Sequence, residues 1–146
     1  MMHGRDMAQD FDVEAFLARP LVAHLATTGP AVRPVWYLWE EGAFWIITGF
    51  WSRVADQLAR ESKASLVVDS CDLDSGEVLQ VRAAGVAELV PYDVERARRK
   101  LVRYLGPDES RWDGDRFASV PEDGESRFIQ LVPDRLVARD LSYRVR

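Results

Sequence analysis

Short runs of apolar residues, many of them alternating with polar ones, fill most of this chain and are separated by turn residues. The first three runs cover residues 21–27, 33–39 and 43–48, with Gly29-Pro30 and Glu41-Gly42 in the turns between them. Alternating runs rich in β-branched and aromatic residues, bounded by tight turns, are typical of antiparallel strands joined by hairpins. The same pattern predicts further strands over residues 64–69, 77–90, 126–132 and 136–140.

The longest predicted strand, residues 77–90, carries a glycine near its centre. Small or apolar residues fill its alternate positions from Leu79 to Leu89, and Gly85 is one of them. A glycine inside a strand often marks a bulge or a bend, which a strand needs where it turns the corner of a barrel. Gly85 therefore favours a closed barrel.

Three segments have helical periodicity instead, namely residues 12–19, 52–61 and 93–105. Asp12, Ser52 and Asp93 are suited as their N-caps. The order of helix, three strands, helix, two strands, helix and two strands predicts a mostly β, antiparallel barrel with flanking helices. The 146 residues fit a single domain, with residues 1–11 expected to form a flexible tail.

The third predicted helix has a basic face, made of Arg96, Arg99, Lys100 and Arg103. This face is either an anion-binding patch or, as we favour, a solvated surface whose cations complement the helix dipole. The polar stretch that follows, residues 106–125, has no periodicity and is predicted to be a long loop.

Composition narrows the function classes. The net charge of −5 argues against a nucleic-acid or anionic-membrane surface, and no apolar run is long enough to span a bilayer. The N-terminus does not resemble a signal peptide, and Cys71 is the only cysteine, so we expect a cytoplasmic protein. No metal-binding motif is present, and four of the five tryptophans fall within residues 36–51, a density typical of interfaces or ligand walls.

Residues 48–58 offer one set of phosphate-binding groups. Thr48 and Ser52 supply hydroxyls and Arg53 a guanidinium where a strand gives way to a helix, whose free N–H groups also attract anions. From spacing alone, the commoner arrangement is that Ser52 caps its own helix and Arg53 lies in solvent.

Residues 33–58 resemble the FMN-binding core of the pyridoxamine 5'-phosphate oxidase-like superfamily. That superfamily has a strand beginning R-x-V, a hairpin with glycine, an aromatic-rich strand ending in threonine, and a loop with S-R-K before a helix. The matching residues are Arg33, Val35, Trp36, Tyr37, Gly42, Phe44, Thr48, Ser52, Arg53 and Leu58. The segments LVAHLATT, RESKASLVVD, VRAAGVAEL and SRFIQLVPDRLVARD match the other strands, so the resemblance runs from about residue 16 to residue 140.

The resemblance implies a split β-barrel homodimer that binds FMN, or alternatively coenzyme F420, in a groove between subunits. It implies an oxidoreductase acting on a small organic substrate, in which the cofactor carries the hydride chemistry and no catalytic side chain is identified. Arg33 to Trp36 would contact the flavin ring, and Thr48, Ser52 and Arg53 would hold the phosphate. The full set expected at the cofactor is Arg33, Pro34, Val35, Trp36, Thr48, Trp51, Ser52, Arg53 and Val54.

Two departures from the superfamily pattern bear on function. The lysine of S-R-K is Val54 here, and losing a charged hydrogen bond costs roughly 1.5–3 kcal/mol. The chain ends ARDLSYRVR and lacks the R-L-x-P motif of true pyridoxamine phosphate oxidases, so we do not predict vitamin B6 synthesis. The alternatives are a non-catalytic binding module with a degenerate phosphate site and, with His24 as the axial ligand, a haem-binding module.

Overall fold

The computed structural model describes residues 6–49, 52–117 and 125–146. Its strands are β1 Asp6–Gln9, β2 Ala23–Thr27, β3 Ala31–Val35, β4 Leu38–Glu40, β5 Ala43–Gly49, β6 Lys63–Cys71, β7 Val78–Pro91 and β8 Ser126–Asp140. Its helices are α1 Val13–Leu17, α2 Val54–Arg60, α3 Val94–Leu105 and α4 Gly114–Phe117, with a 3-10 turn at Glu109–Arg111. None of the helices in these ranges is long and apolar enough to cross a membrane.

The strands form one curled sheet, in which the path β3-β2-β6-β7-β8-β5-β4 is antiparallel at every step. Strands β3 and β4 are consecutive in the chain, yet they lie at the two ends of this order. The chain passes from one end to the other through Trp36 and Tyr37, which belong to neither strand. The prediction of a single strand over residues 33–39 is therefore wrong, because its two halves pair with different neighbours when the sheet closes.

The bulge predicted at Gly85 is confirmed. Ala84 pairs with Arg135 and Gly85 pairs with Pro133, so Asp134 is an extra residue in β8. This bulge lets β8 continue through Pro133 as one 15-residue strand, where we predicted two separate strands.

Residues 6–9 form strand β1, whereas we expected residues 1–11 to be a flexible tail; residues 1–5 lie outside the described residues. Strand β1 pairs in parallel with residues 135–138 of β8. Strand β5 covers only residues 126–131 of β8 on that side, so the second half of β8 has an open edge. An open edge offers unpaired N–H and C=O groups, and β1 satisfies them.

Two apolar clusters bury the two faces of β5. Phe44 and Ile46 face the main core, which Leu17, Tyr37, Leu66 and other residues from most strands complete. Ala43 and Trp45 face the other way, into a second cluster with Ala97 of α3 and Phe128 of β8. Because α3 covers the outside of this strand, both alternating positions of β5 are apolar.

The basic face of α3 is not the solvated surface that we favoured. Arg96 and Arg99 each place a guanidinium nitrogen 2.7 Å from a carboxylate oxygen of Glu40 on β4. Arg103 donates to main-chain carbonyl groups, and Lys100 is only 6% exposed. Helical periodicity could not show that this face packs toward β4 and the segment before it.

Within the predicted loop over residues 106–125, the described residues 106–117 contain two short helical turns, and residues 118–124 lie outside the described residues. Asp108 accepts a hydrogen bond from the Ser110 N–H at the start of the 3-10 turn, and Asp113 accepts one from the Asp115 N–H at the start of α4. These aspartates are therefore caps of short helical turns, which a search for long periodic segments does not detect.

Replacing Lys100 with methionine is expected to stabilise the protein at pH 7 by about 1–2 kcal/mol, because a buried ammonium ion is traded for an apolar chain of similar length. Burial lowers the pKa of Lys100 from 10.5 to about 8. The folded state therefore releases this proton before the unfolded state does, and wild-type stability rises with pH between about 8 and 10.5. Urea unfolding across this pH range should show that the stability difference between Lys100→Met and wild type becomes smaller as the pH rises. A stability difference that stays constant with pH would contradict the lowered pKa of Lys100.

Candidate functional site

Strand β3 presents an open edge next to a buried cation. Within the described strands, β3 is bonded only to β2, so its other edge is unpaired. Pro34 is exposed and has no N–H, while Arg33 and Val35 are half-buried. Arg33 lies opposite Leu25, a core residue, so its side chain extends under α2 and away from the outer surface of the sheet.

The Arg33 guanidinium is held by neutral groups only. Its Nη2 donates to Oε1 of Gln57 at 2.7 Å and to Oγ1 of Thr27 at 3.3 Å, and the Thr27 hydroxyl donates to the same Gln57 oxygen at 2.8 Å. None of the ion pairs within the described ranges involves Arg33. Its Nη1 is buried without a hydrogen-bond partner. Arg33 thus has a positive charge and a donor that the described part of the chain leaves unmatched.

Thr48 has the second unmatched polar group in this region. It lies near the end of β5, is 5% exposed, and its hydroxyl has no partner among the described residues. Buried hydroxyls are normally hydrogen-bonded, so an unpaired one is unusual. Helix α2 contacts β5, the strand that carries Thr48, and its residue Gln57 accepts a hydrogen bond from the Arg33 guanidinium.

The residues between β5 and α2 only partly match the predicted phosphate site. Helix α2 begins at Val54, with Arg53 as its N-cap, one residue later than predicted. The Ser52 hydroxyl accepts the Val54 N–H at 3.2 Å, and Arg53 is exposed. Val54 is 3% exposed within the main core, so its side chain is not available to a ligand. Trp51, also expected at the cofactor, lies outside the described residues.

Trp36 is already engaged by two other rings. Its indole stacks on Tyr104 of α3, with centroids 4.4 Å apart and planes 2° apart, and on Phe117 of α4, with centroids 6.1 Å apart. The remaining described tryptophans of this group have structural partners: Trp39 donates to Glu14, and Trp45 to the Glu40 carbonyl. The described tryptophans of this group are therefore explained largely by packing, and Trp36 is the one among them that belongs to the segment predicted to contact the ring.

A shallow groove crosses the side of the sheet opposite the main core. It consists of two depressions of about 410 Å³ and about 280 Å³ that share Ser65 and Ala84. We call this side the outer face; its central row is Ala26, Ser65, Ala84 and Arg135, cross-strand neighbours on β2, β6, β7 and β8. Lys63 and Asp134 line the larger depression, and Arg82 lines the smaller one.

Several residues that shape the site were not predicted from the sequence. Thr27 and Gln57 hold the Arg33 guanidinium, and Tyr104 and Phe117 hold Trp36. Gln57 follows Arg53 by one helical turn, a spacing that could have suggested a shared face. Nothing in the local sequence connects residue 36 with residues 104 and 117, because that contact depends on how α3 and α4 pack.

The family model of pyridoxamine 5'-phosphate oxidase matches residues 11–139, which is most of the chain and includes β2 to β7, Arg33 and Thr48. The chain belongs to the pyridoxamine 5'-phosphate oxidase family. The split-barrel fold predicted from the sequence is confirmed by the curled, mostly antiparallel sheet and its flanking helices. A search of curated proteins gives no match.

Solved structures show the same fold. A conserved hypothetical protein of Mycobacterium tuberculosis superposes with a TM-score of 0.71 at 22% identity, over 93% of this chain and 89% of that one. An F420 reductase gives a TM-score of 0.59 at 22% identity, over 84% and 94%. An FAD-binding protein of Mesorhizobium loti gives 0.60 at 14% identity, over 90% and 96%. At these identities the likeness is one of fold.

Proposed function

We propose that this family member is an oxidoreductase that binds a flavin-type cofactor, FMN or coenzyme F420, and acts on a small organic substrate. The observation that carries the proposal is the unmatched cation of Arg33. A partly buried guanidinium with no carboxylate partner costs desolvation free energy, and an anion supplied by a ligand would offset that cost. FMN and F420 both carry a phosphate ester that could serve as this anion.

Arg33 and the residues around it carry the donors and positive charges that bind phosphate groups. Guanidinium groups bind phosphate oxygens through paired N–H donors, and Arg33 retains a free Nη1. Thr48 offers a hydroxyl without a partner, and the exposed Arg53 adds a second cation. In this proposal Arg33 supplies the charge that Val54 does not.

The ring of the cofactor would lie along the open edge of β3. A flavin ring has both donor and acceptor groups on one edge, which match the free N–H and C=O groups of an edge strand. When bound, the cofactor supplies two-electron hydride chemistry. The chain's own contribution is to orient the ring and exclude water, and Val35 and Trp36 provide apolar surface for both.

We further propose that a second copy of the chain covers the outer face. Two valines there are considerably exposed, Val86 at 44% and Val132 at 39%, and they face each other across β7 and β8. Apolar side chains beside a groove are typical of surfaces that a partner buries. A homodimer would close the groove, with Arg82 and Lys63 available to the anionic tail of F420. The exposed thiol of Cys71 suits a reducing compartment, so we place the protein in the cytoplasm.

Cofactor binding is tested by purifying the protein, recording its visible spectrum, and titrating it separately with FMN and F420. We expect saturable binding of one cofactor, weakened in Arg53→Ala. The complex is then reduced without oxygen and mixed with small organic acceptors; return of the oxidised absorbance would demonstrate transfer of two electrons. Binding of neither cofactor would overturn the proposal.

Placing a carboxylate at the centre of the proposed interface, as Val86→Glu, is expected to convert the dimer into a monomer, because burying an uncompensated charge costs several kcal/mol. Sedimentation velocity at micromolar concentration measures this directly. Leu73→Glu is the matched control, since Leu73 is 75% exposed at the turn between β6 and β7. A wild-type monomer, or a dimer that survives Val86→Glu, would contradict the proposed interface.

One observation favours a second candidate, a non-catalytic binding module. The position of the family's S-R-K lysine is Val54, which is buried, and Arg53 is exposed. The predicted phosphate site therefore has fewer charged groups than the family's S-R-K loop. Such a module would bind a small ligand in the groove without electron transfer. A haem variant would use His24, which is exposed on the outer face of β2. Haem titration alongside the flavins separates these outcomes.

A further inference from the structure

The main chain loses its strand hydrogen bonds where it passes from β3 to β4. Trp36 and Tyr37 leave the ladder of one sheet end before joining the other, so their peptide groups have no strand partner. Tyr37 is fully buried. A buried peptide group left without a hydrogen bond is destabilising, so this crossing needs partners from outside the sheet.

Tyr104 of α3 supplies one of these partners. Its hydroxyl accepts the Tyr37 N–H at 3.1 Å and an Nη2–H of Arg103 at 3.0 Å, and donates to the Leu21 carbonyl at 2.6 Å. The same hydroxyl lies 3.2 Å from the Tyr37 carbonyl oxygen, a second acceptor for its single proton. Burial raises the pKa of Tyr104, which keeps the donated proton in place.

Arg103 supplies the other partner. Its Nη2 donates to the Tyr37 carbonyl, and its Nη1 donates to the Leu17 carbonyl at 2.8 Å. The guanidinium also lies 4.6 Å from the centroid of the Tyr37 ring. Both peptide groups of Tyr37 are thus bonded to neighbouring side chains of a single helix, which also tie the crossing to the end of α1 and the start of β2.

The same helix orients Trp36. The Tyr104 ring stacks on the Trp36 indole with planes only 2° apart. The hydroxyl of Tyr104 fixes the main chain at residue 37, while its ring fixes the side chain at residue 36. Arg33 to Val35, the open edge of β3, lie immediately before the two residues that Arg103 and Tyr104 hold in place.

We propose that Arg103 and Tyr104 are positioning residues for the cofactor ring. They hold the β3-to-β4 crossing rigid, and through it the edge that would bind the ring, without touching the cofactor themselves. This inference rests on the proposed function. It predicts that loss of the Tyr104 hydroxyl loosens the main chain of residues 33–38 and weakens contacts to the ring, while the Arg33 guanidinium, held by Thr27 and Gln57, keeps its contact to the phosphate.

The first test uses the ligand-free protein. Tyr104→Phe keeps the stacked ring and removes three hydrogen bonds, and Tyr143→Phe is the control, since Tyr143 is 50% exposed near the C-terminus. Hydrogen exchange should become at least tenfold faster in peptides covering residues 33–38 of Tyr104→Phe and stay unchanged in β7 and in the control. Unchanged exchange at residues 33–38 would overturn the proposal. If Tyr104→Phe does not fold, Arg103→Lys removes the forked donor while keeping the charge.

The second test separates ring from phosphate. FMN and riboflavin share a ring, but only FMN has the phosphate; F420 and its tail-free deazaflavin form the equivalent pair. Tyr104→Phe should raise the Kd of both members of a pair by the same factor, about tenfold, the loss expected for one or two hydrogen bonds. Arg33→Gln should raise the Kd of the phosphorylated member alone. Equal affinities in wild type and Tyr104→Phe would overturn the positioning role, whereas wild-type protein that binds neither pair would overturn the proposed function itself.

Discussion

Arg33→Gln is expected to weaken FMN binding about 10- to 100-fold, the loss that follows from removing one or two hydrogen bonds to a charged group. The same factor applies to F420 if that is the cofactor. Glutamine has no charge to offer a phosphate, and its shorter side chain does not reach as far under α2. Among the proposed cofactor contacts, Arg33 has both a buried donor without a partner and a full positive charge.

The same substitution is expected to leave stability unchanged or to raise it. The native guanidinium is partly buried among neutral groups, and removing an uncompensated charge relieves its desolvation cost. The bond between Thr27 and Gln57 does not involve Arg33 and can persist. A residue that costs stability yet is needed for binding is expected at a functional site.

Isothermal titration and thermal unfolding of the same samples measure the two effects. Arg60→Gln is the matched control: it makes the same change at the exposed end of α2, and we expect wild-type affinity and stability. A large fall in melting temperature for Arg33→Gln would show that the guanidinium is structural. Unchanged FMN affinity in a stable Arg33→Gln protein would remove Arg33 from the site.

Gly85→Val is expected to destabilise the protein by about 3 kcal/mol or more, the upper part of the range for overpacking a close-packed interior. A Cβ at this position would lie 2.2 Å from the Val132 carbonyl oxygen and 3.0 Å from the Cα of Pro133. Both obstacles are main-chain atoms of the opposite strand, so no rotamer change removes the clash. The bulge that aligns both halves of β8 with β7 would have to open.

Urea unfolding monitored by tryptophan fluorescence gives the free energy of unfolding for this variant. Gly114→Ala is the matched control: a Cβ there meets nothing within 4 Å, so we expect a change within about 1 kcal/mol in either direction. A Gly85→Val protein as stable as wild type would mean that the register around Asp134 adapts, and the corner of the barrel would then not depend on glycine.

Gly85→Val and Arg33→Gln test two different properties, the stability of the fold and the binding of the cofactor. Gly85 supports the barrel on which the proposed site is built, and its replacement should reduce stability first and binding as a consequence. Arg33 belongs to the site, and its replacement should reduce binding alone. Measuring both properties on both variants therefore separates the contribution of the fold from that of the phosphate contact.

Local sequence determined a large part of this fold. Alternation located the strands, Asp12 and Asp93 cap the helices predicted to follow them, and Gly85 marked the bulge. These features are encoded within a few residues, because the side-chain period of an element and the hydrogen bonds of a cap are local properties. The ordered motifs from Arg33 to Leu58 likewise sufficed to place the chain in its family.

Only the tertiary structure decided which distant residues satisfy one another. It divided the predicted strand at Trp36 and Tyr37, paired Arg96 with Glu40, and buried Val54 in the core. It also brought Arg103 and Tyr104 to the crossing and left Arg33 without an anionic partner. Closing a sheet joins segments far apart in sequence and leaves peptide groups and charges that must find partners across that distance. No local pattern records those partners, so the chemistry of the proposed site became visible only in the folded chain.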